Sequence, residues 1–500
     1  MESSTNVGLI AFGRVRPLDL VIVLGYLAGV VAAGAFFARR QKTTAQYFLG
    51  GRHVPWWAIS ASIVATETST ITFISVPGLI YREGGDFGFL QLVFGYLLGR
   101  IVISVLLIPS YFRRELLTVY QLLQTRFGGA VKALAASLFV MMRTVADGVR
   151  LLLTAFVLAA VFGAFSVGAN MDTAVVGSIL AIGVVMILFT FFGGMEAVIW
   201  IEVVQLGIYI TGAVAAAAVL ISKIPGGWHA ARALSESHGK FRLFHFEWDW
   251  TKPFTFWAGL IGGCFLTMST HGTDQYLVQR YLCTDKPRKA TAALLTSGVV
   301  VLAQFTGFLL IGLLLFAFYR PFENGWALTG DRVFPDFITR HLPSGLSGLV
   351  VAAIFAAAMS SSLNSIAATA VSDLYRPVVS DRDDRHYLVV SRWLTLVAGV
   401  AQIGVALAIR HMTRSALDAA LSVASILNGP VLGVFLLGAF SRRAGTPAAF
   451  AGMAAGLIAV VCVWRLTPVA WPWYTLVGSM TTLVAGSLLG LSGARREATA

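Results

Sequence analysis

The chain has 500 residues, of which 57% are hydrophobic and only 12% charged, with a mean hydropathy of +0.78. That balance excludes a soluble fold of this length, which carries roughly 25% charged residues. The formal charge of +13 would point to nucleic acid in a soluble chain, but in a membrane chain it follows topology, so no nucleic-acid partner is expected.

Apolar runs of roughly 20 residues predict thirteen spans, centred near 28, 68, 100, 150, 183, 211, 265, 305, 358, 400, 429, 456 and 482. The fold class is therefore an all-α polytopic membrane protein with 13 transmembrane helices, and the lipid bilayer is its first partner. Leu18 to Ala38 is long enough to span and reads as a retained first helix, because more charge follows than precedes it. Arg14 and Arg16 precede this run, and Arg39, Arg40, Lys42 and Arg52 follow it. This places the N-terminus outside and, after thirteen crossings, the C-terminus in the cytoplasm. The short basic loops at Lys286 to Lys289, Arg376 to Arg385, Arg442-Arg443 and Arg495-Arg496 then fall on the cytoplasmic side. Two polar stretches, Pro225 to Pro253 and Arg320 to Pro343, fall outside and suit a cap over a cavity, and an amphipathic helix is expected over Leu116 to Phe127. The tail after Leu491 is too short to fold alone, so residues 1–500 read as one membrane domain. Cys264, Cys283 and Cys462 show no pairing pattern and read as packing residues.

The second span is overlong. Read as one helix, Val54 to Tyr81 would extend about 42 Å, against a hydrocarbon core of roughly 30 Å, and its centre is Thr66-Glu67-Thr68-Ser69-Thr70. An acid at that depth costs about 2.5 to 3.5 kcal/mol, so the segment is expected to break there and to line a site. Unwinding at Ala65 to Ser69 would free carbonyls beside hydroxyls, the all-oxygen surroundings that a hard cation prefers. The competing reading is a tightly packed Ser/Thr helix with Glu67 paired to an arginine.

Further along, Arg100 sits midway in the third span and can meet either Glu67 or a solute carboxylate. Arg143, Asp147 and Arg150 share one face of the fourth span at i, i+4 and i+7 and read as a structural cluster. The run Gly193-Gly194-Met195-Glu196-Ala197-Val198-Ile199-Trp200-Ile201-Glu202-Val203-Val204-Gln205 makes a paired-glycine turn followed by a helix presenting Glu202 and Gln205 on one face. A cation exit path and an interfacial cap both fit it. Ser269 to Asp274 forms a second polar interruption, five spans after the first, which is the pattern of an inverted repeat. There Thr267 and His271 sit deep enough to face a cavity, while Asp274 and Arg280 are expected near the cytoplasmic end, paired with basic loops. The ninth span closes with Ala356-Ala357-Ala358-Met359-Ser360-Ser361-Ser362-Leu363-Asn364-Ser365, whose small side chains allow close approach and whose hydroxyls can complete a cation shell.

Together these segments resemble the sodium:solute symporter family. Its run GG-x-x-AV-x-W-T-D-x-x-Q corresponds here to Gly193-Gly194, Ala197-Val198, Trp200, Glu202 and Gln205, and its run near NQ-x-x-VQRYL to Asp274-Gln275 and Val278-Gln279-Arg280-Tyr281-Leu282. Gly51-Arg52-His53-Val54-Pro55-Trp56-Trp57 and Asp373-Leu374-Tyr375 also match, so the resemblance covers essentially the whole chain. It implies a leucine-transporter-like core of two inverted five-helix repeats, at about 54–222 and 255–441, with extra helices at about 17–38, 446–466 and 472–491. It also implies a sodium ion held by Ala65, Thr68 and Ala357 with hydroxyls of the ninth span. The ninth span is about three residues short of the family spacing. Alignment on its alanines assigns the hydroxyls to Ser360 and Ser361, and alignment on Asn364 gives Ala357 and Ala358. The serines are preferred, since three residues are close to one turn. Glu202 replaces the family's usual aspartate, and Glu67 replaces a residue that is often neutral.

The expected activity is sodium-coupled symport of a small polar organic solute by alternating access. Glu67, Ser69, Thr267 and His271 would contact the solute, with Arg100 as a further charge partner and Glu202 at a second cation site or exit path. A proton-coupled transporter of the same fold, and a solute-binding receptor or channel, are the alternatives. No Ser/His/Asp group, HExxH or paired metal ligands mark an enzyme, and no organic cofactor is expected.

Overall fold

The structure is a computed structural model that describes residues 17–38, 41–68, 70–113, 116–163, 171–320, 330–358, 362–412 and 426–498. Among the described residues it is helical, without a strand. A membrane-length helix, α1 (Pro17–Ala38), is followed by the short α2 (Thr44–Leu49), which starts on a capping box between Thr43 and Gln46. The overlong second segment is indeed two helices. α3 (Trp56–Glu67) stops at Thr68, whose φ of −80° and ψ of 85° are not helical, and α4 (Thr70–Tyr81) resumes the path.

Next come α5 (Leu90–Leu106), α6 (Ile108–Phe112), α7 (Gln121–Phe127) and α8 (Gly129–Gly163). The amphipathic helix expected from Leu116 is shorter than predicted. Its first residues turn instead, because the amides of Leu117 and Val119 donate to the side chains of Gln121 and Gln275, at 2.9 and 2.8 Å. α9 (Met171–Lys223) joins two expected spans without a loop by changing direction at Gly194, whose φ of 60° and ψ of −161° belong to glycine. A Cβ there would also lie 2.7 Å from the carbonyl oxygen of Tyr47.

α10 (Gly227–Ser237) leads through an extended strap into a π-helical turn, Ala258–Gly262, and then α11 (Gly263–Gly272) and α12 (Gln275–Leu282). The chain continues as α13 (Pro287–Tyr319), α14 (Gly330–His341), α15 (Leu346–Ala358) and α16 (Leu363–Thr369), which passes into a π-helical turn, Ala370–Tyr375. The last four are α17 (Asp384–Ile409), α18 (Asn428–Phe440), α19 (Thr446–Leu466) and α20 (Pro472–Ala498). Among the described residues eight helices are long and apolar enough to cross a membrane. The remaining apolar length lies in the interrupted pairs α3–α4, α11–α12 and α15–α16 and in α18.

α9 packs on α1, α8, α15 and α17, and α13 packs on α3, α4 and α5. The closest approach that matters for the site is between α5 and the π-helical turn that leads into α11. A Cβ at Gly95 would stand 2.1 Å from the carbonyl oxygen of Gly259, so the two backbones touch without side chains between them. Gly95→Val is expected to force them apart at a cost of at least about 1–3 kcal/mol. A fall in melting temperature with solute binding lost in parallel would be the observed result.

The strap is pinned at several points. Lys240 donates from Nζ to the carbonyls of Ile80 and Arg82, at 2.6 and 2.7 Å, and His245 Nε2 lies 2.7 Å from Asp86 Oδ2. Burial pushes the Lys240 ammonium down from 10.5 to about 8, with Asp86 and Glu83 opposing. Between those two values the unfolded chain holds a proton that the folded chain has lost, so this group makes stability rise with pH in that window and contributes a constant penalty below it. Lys240→Met is expected to remove that part of the slope in melting temperature against pH.

Candidate functional site

The two interrupted segments bring their polar centres together. Glu67, the last residue of α3, receives the guanidinium of Arg100 from α5 and lies 2.9 Å through Oε1 from His271 Nε2 on α11. A carboxylate only accepts, so Nε2 of His271 carries the proton, and its 3.2 Å contact with Arg100 NH2 sets two donors converging on one oxygen. The other ring nitrogen, Nδ1, is 3.0 Å from the Thr270 hydroxyl, which orients the ring. Arg100 is 1% exposed, and its stem crosses Gly298 of α13, where a Cβ would come within 2.8 Å of Cδ. Its Nε and NH1 atoms are buried without a hydrogen-bond partner. Of the two roles considered for Arg100, pairing with Glu67 is the one seen, and two donor groups are left over.

Thr267 is buried where α11 meets Gly99 of α5, a turn away from His271. Ala65 is buried on α3, and Thr68 directs its hydroxyl to the carbonyl of Val64 at 2.8 Å while accepting from Gln304 Nε2 at 2.7 Å. Gln304 was not singled out in the sequence, although an amide in the middle of the apolar α13 is itself a signal. Ala357 lies at the end of α15, and the chain resumes in helix at Leu363. Ser69, Ser360 and Ser361 lie outside the described residues.

Glu202 is buried within an ionic cluster. Its Oε1 lies 2.6 Å from NH2 of Arg280 and 3.1 Å from the Thr66 hydroxyl, and its Oε2 receives Ser62. The expected pairing of Arg280 with basic loops is therefore not seen; it reaches instead from α12 to Glu202 of α9 and Ser62 of α3. Its neighbour Gln279 donates to the carbonyl of Phe48 and to Asn364 Oδ1, each at 2.7 Å, tying α12 to α2 and α16. The VQRYL run is thus a set of ties at the base of the broken helix.

Asp274 lies in the expected second interruption, but its partner is Arg143 rather than a basic loop. It caps α12 at the second break, accepting the Tyr276 amide at 2.9 Å, because the helix that starts there needs an acceptor for its first free N–H groups. Arg143 joins it, with NH1 3.5 Å from Asp274 Oδ2 and the guanidinium carbon 3.8 Å from the centre of the Tyr276 ring. The predicted face of α8 holds: Asp147 lies 3.2 Å from Arg143 and 3.5 Å from Arg150. Asp147 additionally receives the Ser362 hydroxyl, to which Gln402 Nε2 donates at 3.3 Å. Charge thus runs from the second break across α8 to the start of α16.

Two helices that break at the same level, lined by compensated charge rather than by apolar packing, are the architecture of a transporter core. The model of the Sodium:solute symporter family matches residues 47–456. The chain is similar to the Sodium/sialic acid symporter NanT of Aliivibrio fischeri, at 31% identity over 94% of this chain and 92% of that protein. It is also similar to the Sodium/sialic acid symporter SiaT of Proteus mirabilis, at 30% identity over 94% of each. Among solved structures, a Na+-coupled sialic acid symporter in a substrate-bound outward-open state superposes with a TM-score of 0.85, at 29% identity over 95% of this chain and 97% of that one. The chain belongs to the sodium:solute symporter family, as its motifs implied, and has the helical fold of sodium-coupled transporters rather than of an enzyme.

Proposed function

We propose that this chain carries one small polar organic solute into the cell together with sodium, by alternating access. The architecture we assign is a single domain of thirteen spans with two inverted five-helix repeats, the N-terminus outside and the C-terminus in the cytoplasm. Sodium is assigned to the carbonyls of Ala65, Thr68 and Ala357 with the hydroxyls of Ser360 and Ser361. Solute is assigned to Glu67, Ser69, Thr267 and His271, with Arg100 as its charge partner. The observation that carries this reading is the meeting of Glu67, Arg100 and His271, which joins both broken helices through one partly buried carboxylate. The leftover donors of Arg100 favour a solute that bears a carboxylate, the class to which the sialic acid of the similar symporters belongs. One charge moving through 100 mV supplies about 2.3 kcal/mol, and a tenfold sodium gradient roughly 1.4 kcal/mol, enough for several hundredfold accumulation under tight coupling.

The test is uptake into proteoliposomes across a panel of sugar acids, neutral sugars and amino acids, with sodium and pH gradients imposed separately. Accumulation of a carboxylate solute above the outside level only under a sodium gradient is the expected result. The contact between His271 and Glu67 supports one alternative, proton coupling, and accumulation that follows the pH gradient without sodium would establish it. Equilibration without accumulation would indicate a channel or receptor.

A further inference from the structure

The strap between α10 and α11 alternates in chemistry. Phe244, Phe246, Trp248 and Trp250 take every second position, and His245, Glu247 and Asp249 stand between them. The contacts follow that alternation. Phe244 stacks on Phe246 with ring centres 5.5 Å apart, and Trp248 meets Trp250 at 5.3 Å. The polar residues find polar partners: His245 faces Asp86, Glu247 accepts from Lys252 Nζ at 3.2 Å, and Asp249 Oδ1 accepts from the amide and hydroxyl of Thr251 at 2.8 and 2.7 Å. The four rings remain 43–62% exposed, an aromatic surface that water disfavours.

The helices beneath show what meets that surface. Phe244 stacks on Phe94 of α5 with centres 6.2 Å apart, and below Phe94 the exposed residues of α5 are Leu98, Ile101 and Val105, at i+4, i+7 and i+11. At the other end of the strap, the ring centre of Trp250 is 4.4 Å from that of Trp473 on α20, whose exposed residues Met480, Val484 and Leu488 follow at i+7, i+11 and i+15. Both helices are long and apolar enough to cross a membrane, so these one-sided apolar stripes face hydrocarbon. Each stripe starts beneath a ring of the strap, near the first turns of its helix, which is the depth where hydrocarbon gives way to headgroups.

We propose that the strap is seated on the bilayer, with Phe244, Phe246, Trp248 and Trp250 inserted at the glycerol-ester level of the phospholipids on that side of the membrane. Rings that are apolar in body, with a polar N–H on each indole, suit that level better than water or hydrocarbon. Between Leu243 and Thr251 the one basic side chain, His245, is engaged with Asp86, so the seat uses the ester boundary common to phospholipids rather than an anionic headgroup. A second copy of the chain could also cover such a surface, but continuity with two hydrocarbon-facing stripes favours the bilayer. Backbone and amide ties carry the seat inward. The amide of His245 donates to Gln91 Oε1 at 2.9 Å, Gln91 Nε2 donates to the carbonyl of Phe254 at 2.9 Å, and the amide of Ala470 donates to the carbonyl of Trp250 at 2.8 Å. Gln91 lies one turn before Gly95, so the bilayer surface steadies α5 where it touches Gly259. Neither the solute nor sodium takes part, so this seat stands apart from the transport reading.

The test uses the full chain in phosphatidylcholine nanodiscs beside the double variant Trp248→Phe with Trp250→Phe, which keeps a ring at both positions. Monodispersity on size exclusion shows that the variant folds, and the difference between the two emission spectra reports the two indoles. The discs contain lipid brominated either near the ester end or near the methyl end of the acyl chains, and acrylamide serves as the quencher in water. The difference emission is expected to be lost most strongly to ester-end bromine, and to keep that order when phosphatidylglycerol replaces phosphatidylcholine. Strongest loss to acrylamide would put the rings in water, and loss to none of the three would put protein, such as a second copy, over them. Either result would overturn the proposal, as would quenching by lipid in phosphatidylglycerol alone.

Discussion

Glu202→Ala is expected to lower stability by about 3–5 kcal/mol, the cost of leaving one member of a buried ion pair without its partner. Arg280 is fully buried, and besides Glu202 it meets the carbonyl of Tyr276, the hydroxyl of Ser62 and the Tyr276 ring, none of which carries compensating charge. Arg280→Leu alone should cost a similar amount for the converse reason, since Glu202 would lose the guanidinium that faces its carboxylate. The double variant Glu202→Ala with Arg280→Leu should therefore lose much less than the sum, because two buried charges leave together. Melting temperatures of the four proteins in one detergent would check this. Additive losses would mean that the pair, and with it the tie between α9 and α12, is not coupled.

Arg100→Ala is expected to abolish accumulation of a carboxylate solute, and Glu67→Gln to weaken binding of one that also donates an N–H or O–H to Glu67 by roughly 10- to 100-fold, the range for a charged hydrogen bond. The two are not equivalent. Glutamine keeps an acceptor for Arg100 and a partner for His271 while removing charge, so the ring of contacts survives without its balance. Alanine at 100 removes every donor of the guanidinium and opens space against Gly298. Solute-dependent shifts in melting temperature, measured with sodium held constant, separate these effects from folding. If Glu67→Gln left both solute binding and uptake unchanged, the carboxylate would be a structural pair for Arg100 alone.

The class of protein, the helix break and the family were legible because each depends on local composition. An apolar run too long for the bilayer with an acid at its centre has few solutions, and separated motifs in order identify the family. The paired-glycine turn was equally readable, since Gly194 adopts a backbone that other residues resist. The partner of Asp274 is not legible in the sequence, because Arg143 reaches it from a different helix. The pairing of Arg280 with Glu202 is likewise not legible, because partners 78 residues apart leave no periodic trace.

The sequence alone therefore determined a polytopic helical membrane protein with polar interruptions in its second and seventh apolar segments, because burial of charge in hydrocarbon is costly enough to constrain the chain locally. Tertiary structure decided the pairings: Glu67 with Arg100 and His271, Glu202 with Arg280, and Asp147 with Ser362. A buried charge announces that it needs a partner, but which one it finds depends on how distant helices cross, and that is set by close contacts such as Gly95 against Gly259.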